Sequence, residues 1–309
     1  MNRVVLVSLL VACNSSSQPR GGVDAGDSQE DATDTGPVSA TCEGRMTQPL
    51  NATWTIEANG GSRTARVHVP ASYDPSVRTA VVLNFHGRTG SGSQQAAMTH
   101  MLAKSDAEGF IVVHPEAMTS PTSWNGGPGC CDPAYADDVN DVGFVRKLLD
   151  EVDAKLCVDP DRVFATGFSN GGYLAHRLGC ELSDRIAAIS SVAGLIGVTS
   201  CGATRPVPVL DVHGTEDPLV YHSLVGQTIQ YWSTHNGCTG MQTSYQNGAA
   251  KCVTHSGCDR AANVVQCTIT GGGHQWPGGE ALPSLGVKSD DLIATDAIWT
   301  FFAEHPFAR

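Results

Sequence analysis

Arg162–His176 reads RVFATGFSNGGYLAH, and its interpretation decides the fold. Arg162–Thr166 predicts a strand and Tyr173–Leu178 a helix. Between them Gly167, Ser169 and Gly171 fill the pattern G-x-S-x-G. In a strand–turn–helix context that pattern lifts a serine hydroxyl clear of the strand end. Side chains at Gly167 and Gly171 would collide with the neighbouring strand and helix. The helix N-terminus then offers N–H groups where an oxyanion would develop. A chain with 34 glycines can produce the pattern by chance, so the role of Ser169 depends on what surrounds it.

Outward from this stretch, short β-branched runs alternate with amphipathic segments, which predicts a mostly parallel sheet flanked by helices. The expected strands are 65–69, 80–85, 110–114, 162–166, 186–192, 207–212 and 264–269. Val142, Val145, Leu149, Val152 and Leu156 recur at helical spacing. Residues 94–108 and 294–305 are further helices. Chemistry in such sheets gathers at the carboxyl ends of the strands. There, ITGGGHQWPGG supplies His274 as a base for Ser169, since a hydroxyl is a poor nucleophile without one. PVPVLDVHGTEDPLVY offers Asp211, Glu216 and Asp217 as the acid. Asp217, beyond the strand end, is favoured, with Asp211 in reserve. VVLNFHGRTGSG ends a strand in a loop whose Arg88 amide can face that of Asn170 across an oxyanion.

The segments NFHGRTGSG, SWNGGPGCCDPAYADDVNDVGFVRKLLDEV, VDPDRVFATGFSNGGYLAHRLGCELSDRIAAISSVAG, RPVPVLDVHGTEDPLVY and GGGHQWPGG occur in that order. Together, over about residues 45–305, they resemble the secreted esterases of carbohydrate esterase family 1. That group includes feruloyl and acetylxylan esterases and polyhydroxybutyrate depolymerase-like proteins. The resemblance implies the α/β-hydrolase fold and no cofactor. It implies a triad of Ser169, Asp217 and His274, with Arg88 and Asn170 as oxyanion donors. Asn140 stands where many relatives carry a second aspartate.

The expected activity is therefore hydrolysis of carboxylic esters through an acyl-enzyme, of feruloyl or acetylxylan type. Hydrolysis of short hydroxyalkanoate esters is the alternative. A peptidase, or a lipid-anchored binding protein on a hydrolase scaffold, ranks below both. Trp276, two residues after His274, and Trp124, in SWNGGPGCC, are expected to wall the substrate pocket. Aromatic walls favour ring-containing esters through stacking.

MNRVVLVSLLVAC opens the chain, with Arg3 before an apolar run too short to span a bilayer. It reads as a signal peptide over residues 1–12. Leu10–Cys13 resembles a bacterial lipobox, making Cys13 the lipidation site and a lipid anchor the expected membrane contact. Residues 13–40 then form an acidic tether too polar to fold, reaching roughly 30 Å as a flexible coil. The protein would be exported and held at the cell envelope, by the outer membrane if the cell is Gram-negative. Residues 41–309 are expected to be one esterase domain. They carry 26 acids and 17 bases, within a total of −12 for the chain, which argues against nucleic-acid binding.

Ten cysteines besides Cys13 suggest disulfides in an exported chain. Pairs are expected within Cys238, Cys252, Cys258 and Cys267, and one bridge from Cys130 or Cys131 toward Cys180 or Cys201. Adjacent Cys130 and Cys131 are not expected to join. Cys252, His255 and Cys258, with Cys238 and Cys267, could be drawn as a zinc site, but their spacing matches no common zinc pattern, so no metal is expected.

Overall fold

The β-branched runs assemble into a single ten-stranded sheet. The computed structural model describes residues 42–45, 47–48, 51–58 and 61–307. The expected signal peptide, Cys13 and the tether to residue 40 lie outside the described residues. The strands are β1 (Asn51–Ala58), β2 (Gly61–His68), β3 (Thr79–Phe85), β4 (Ile111–Pro115) and β5 (Val158–Phe168), then β6 (Ala188–Val192), β7 (Val209–Gly214), β8 (Gly240–Asn247), β9 (Ala250–Ser256) and β10 (Val264–Ile269). Their spatial order is β1-β2-β4-β3-β5-β6-β7-β10-β9-β8. The middle six, from β4 to β10, run parallel. Antiparallel strands flank them on both sides.

Every residue of β3, TAVVLNF, is buried, as a strand covered on both faces requires. Val81, Leu83 and Phe85 join one apolar layer with α3 (Asp141–Lys155), α4 (Asn170–Glu181) and α5 (Val225–His235). Ala80 and Val82 face the other layer, with α1 (Gly92–Thr99), α2 (Met101–Glu108) and α6 (Ala294–Glu304). The single helix expected over residues 94–108 is broken at His100, whose φ of 55° takes the backbone out of the helical region. Asn140 caps α3, accepting from the Gly143 amide at 2.8 Å. Asparagine serves there as well as aspartate, so the departure from the family pattern leaves the helix start intact.

Cys238–Cys258 and Cys252–Cys267 pair within the expected group of four, and Cys252 and Cys267 are cross-strand partners of β9 and β10. Cys42 joins Cys157. The bridge expected between the Cys130/Cys131 pair and the Cys180/Cys201 pair does not form. Cys180 and Cys201 take each other, at a Cα separation of 4.7 Å. With every other described sulfur engaged, Cys130 and Cys131 bridge one another across the peptide they share. The neighbour bond that the sequence argued against is therefore the one present.

Asp211, the reserve acid, lies on β7 inside the layer beneath α4 and is fully buried. Neither carboxylate oxygen has a hydrogen-bond partner among the described residues, and Nε2 of buried His176 stands 3.9 Å away. Burial pushes its pKa up to about 7, against a smaller opposing pull from His213. The unfolded carboxyl ionises near 3.8, so the native state holds the proton longer and loses stability as pH rises from about 4 to about 7.

Two outcomes are expected. Asp211→Asn removes that titration, so melting curves from pH 4 to pH 8 should show the variant gaining on wild type by up to about 4 kcal/mol. Thiol titration in denaturant without reductant should find residues 41–309 essentially free of thiols; eight or more would contradict the bridges.

Candidate active site

Ser169 occupies the turn between β5 and α4, with φ 54° and ψ −119°. A β-carbon on Gly171 would overlap the carbonyls of Phe85 and His86, and one on Gly167 would overlap the Gly171 backbone. Bare glycines at both positions let α4 begin directly against the end of β3. Ser169 is anchored there by its amide, which donates to Val192 O at 2.8 Å, while its carbonyl accepts from the Tyr173 amide at 3.1 Å. As the first residue of α4, Asn170 has an amide without an intrahelical acceptor.

His274 and Asp217 come together from the loops after β10 and β7. His274 Nδ1 lies 2.7 Å from Asp217 Oδ2, and both residues are buried. The other carboxylate oxygen of Asp217 accepts from the Leu219 and Val220 amides, each at 2.8 Å. Burial alone would raise this carboxyl, but bonds from His213 and His274, the His274 charge and the Val220 amide outweigh it. The pKa is held below the ordinary carboxylate range. His274 therefore pairs with Asp217, and Asp211 stays inside the sheet layer.

Neighbours that the sequence did not single out fix these groups. His213 on β7 places Nε2 3.4 Å from Asp217 Oδ2 and 2.8 Å from Val220 O. Its i,i+4 spacing to Asp217 in DVHGTED was the available signal. The side-chain amide of Gln275 bonds Leu282 O, Gly286 O and the Leu282 amide, bracing the loop that carries His274. His86, buried and with its pKa lowered to about 4 by desolvation, accepts from the Ala117 amide through Nε2. That bond fixes the loop leading to Arg88.

Ser169 and His274 line one cleft of about 680 Å³, together with Arg88. That volume suits a small-molecule site. Met98, Phe168, Leu219, Val220, Leu282 and Leu285 give it an apolar side, and the Cys130–Cys131 bridge and Tyr173 also border it.

The two tryptophans expected as pocket walls are not on it. Trp276 is fully buried in the layer under α6, and its indole donates to Thr295 Oγ1 at 3.0 Å. Trp124 is fully buried in the opposite layer and donates to His86 O at 2.9 Å. In each case an indole N–H has a protein acceptor, so the whole ring can leave water.

The described residues hold no cluster of three or more His, Cys, Asp or Glu fit for a metal ion, and no helix long and apolar enough to cross a membrane.

The chain is 31% identical over 230 residues to feruloyl esterase B of Piromyces equi, covering 67% of this chain and 42% of that protein. It is 26% identical over 221 residues to a bifunctional acetylxylan esterase/xylanase of Neocallimastix patriciarum, covering 70% and 31%. This chain thus spans less than half the length of either relative. An acetyl xylan esterase structure from Aspergillus awamori superposes with a TM-score of 0.61 at 15% identity, over 82% of this chain and 99% of that one. Such a likeness establishes a shared α/β-hydrolase fold. The phospholipase/carboxylesterase family model matches residues 69–260, and the chain belongs to that family.

Proposed function

We propose that the protein is a serine carboxylic ester hydrolase of feruloyl or acetylxylan esterase type. The observation that carries this reading is the short His274–Asp217 contact beside an elbow serine on the same cleft. His274 takes the Ser169 proton as Oγ attacks the ester carbonyl. Asp217 holds Nδ1–H and stabilises the imidazolium that forms. The amides of Arg88 and Asn170 receive the oxyanion, such donors being worth about 3 kcal/mol each. The alcohol leaves, and water attacks the acyl-enzyme by the same route. No cofactor is required.

Feruloyl and acetylxylan esterases among the relatives support the substrate class. With both tryptophans withdrawn, an acyl group would rest on aliphatic side chains, Phe168, Tyr173 and the Cys130–Cys131 bridge. Export and anchoring through Cys13 rest on the leader sequence, and the five bridges agree with an oxidising compartment.

Ser169→Ala should fold normally and lose at least about a thousand-fold in kcat. Activity on p-nitrophenyl acetate within tenfold of wild type would overturn the assignment. Asp217→Asn should be more damaging than Asp211→Asn. Turnover of methyl ferulate or acetylated xylan, without action on casein, is the expected profile. Brisk cleavage of hydroxybutyrate oligomers with neither of those would shift the substrate to polyester. For the anchor, cell fractionation should find Cys13→Ser protein released from the membrane.

A further inference from the structure

The two proposed oxyanion amides sit on different elements, and the sheet does not set the distance between them. The β3–β5 ladder ends at the Phe85–Gly167 pair. Beyond it, the loop carrying Arg88 and the start of α4 carrying Asn170 pack closely at Gly87 and Gly171. Hydrogen bonds reach both of them from the segment from Thr119 to Asp138, which holds neither helix nor strand.

This strap bonds to both sides. Toward the Arg88 loop, the Thr89 amide donates to Thr122 O at 2.7 Å and Thr122 Oγ1 donates to Gly90 O at 2.8 Å. Arg88 Nε donates to Asp132 O at 2.9 Å. Toward α4, Asn170 clasps Trp124 in both directions. Its Oδ1 accepts from the Trp124 amide at 2.7 Å, and its Nδ2 donates to Trp124 O at 2.8 Å. The same Nδ2 lies 3.6 Å from Cys130 Sγ. Trp124 reaches across both segments, because its indole also donates to His86 O at 2.9 Å.

The strap has a rigid footing. The Asn125 amide donates to Asp141 Oδ2 at 2.7 Å, and Arg177 donates to Asn125 O at 2.9 Å. Asp141 is met at 2.8 Å by Arg63, and both side chains are buried. The Arg63 guanidinium also lies 5.3 Å from the centre of the Trp124 ring. Three hydrogen bonds to Asn170 and His86 and a cation over the ring thus hold one fully buried residue in place.

We propose that Trp124 is a positioning residue that sets the gap between the Arg88 and Asn170 amides. This rests on the esterase reading above. The indole N–H draws the His86–Arg88 loop in, while the clasp on Asn170 fixes the start of α4. Phenylalanine would keep most of the ring and the clasp but release His86 O, letting one donor drift from the oxyanion. Small misplacements at a reacting centre are costly, about a hundred-fold per ångström, so a partial shift should read as about ten-fold.

Trp124→Phe in the full chain, assayed on p-nitrophenyl acetate, is expected to lose about ten-fold in kcat with KM within about two-fold. Affinity for phenylboronic acid, whose tetrahedral serine adduct mimics the charged intermediate, should fall in parallel. Trp54→Phe, in β1 and outside the strap, serves as the folding control and should keep kcat. A loss confined to KM, or kcat and boronate affinity both unchanged in folded Trp124→Phe, overturns the proposal while leaving the esterase reading intact. A wild-type protein without esterase activity overturns both. If Trp124→Phe fails to fold, Thr122→Val removes the strap's bond to Gly90 more gently. It should show the same paired loss at smaller size, and unchanged values would overturn the proposal.

Discussion

The constraint on which the site depends is the close approach of α4 to the end of β3. Gly171 lies so near the Phe85 and His86 carbonyls that no β-carbon fits, and Gly167 lies as close to Gly171. Because the helix starts there, Ser169 must turn through a left-handed φ, a conformation that few residues other than glycine adopt. The strain is local, and the parallel ladder on either side of β5 holds it. From that one contact follow the height of the serine above the sheet, the direction of the α4 N-terminus and the proximity of the Arg88 loop.

The other half of the site is built by electrostatics. Asp217 enters a buried position as an anion and receives two amides and one histidine, with a second histidine nearby. Asp211, six residues earlier, enters a buried position with no such donors. Their pKa values move in opposite directions, as burial with and without compensation requires. The loop after β7 therefore carries a buried carboxylate that favours its charged form, and the strand beneath it carries a carboxyl that stays neutral in acid.

Much of this was legible in the residues. The elbow, the histidine loop and the acid past its strand are local patterns tied to strand ends, and the parallel order of the sheet fixes where those ends meet. What was missed depends on contacts between distant residues. Trp276 follows His274 by two residues and Trp124 lies in a glycine-rich segment, but which way each ring turns is settled by acceptors at Thr295 and His86. Cys130 and Cys131 are partners, and Cys180 and Cys201 have each other. Strand β8 escaped notice for a different reason. In β8, GMQTSYQN, every residue is exposed, so there is no apolar alternation to read.

That exposed strand has a consequence for how the protein coexists with its own copies. β8 closes one edge of the sheet, where unpaired backbone groups would ordinarily invite another chain to add on. Its side chains are mostly polar amides and hydroxyls, and its register with β9 slips between Thr243 and Tyr245. A bulge of that kind twists an edge out of the flat form on which intermolecular strands accrete. The Cys238–Cys258 bridge sits just before β8 and just past the end of β9, and Cys252–Cys267 ties β9 to its inner neighbour. The edge is thus held from fraying into a template for aggregation.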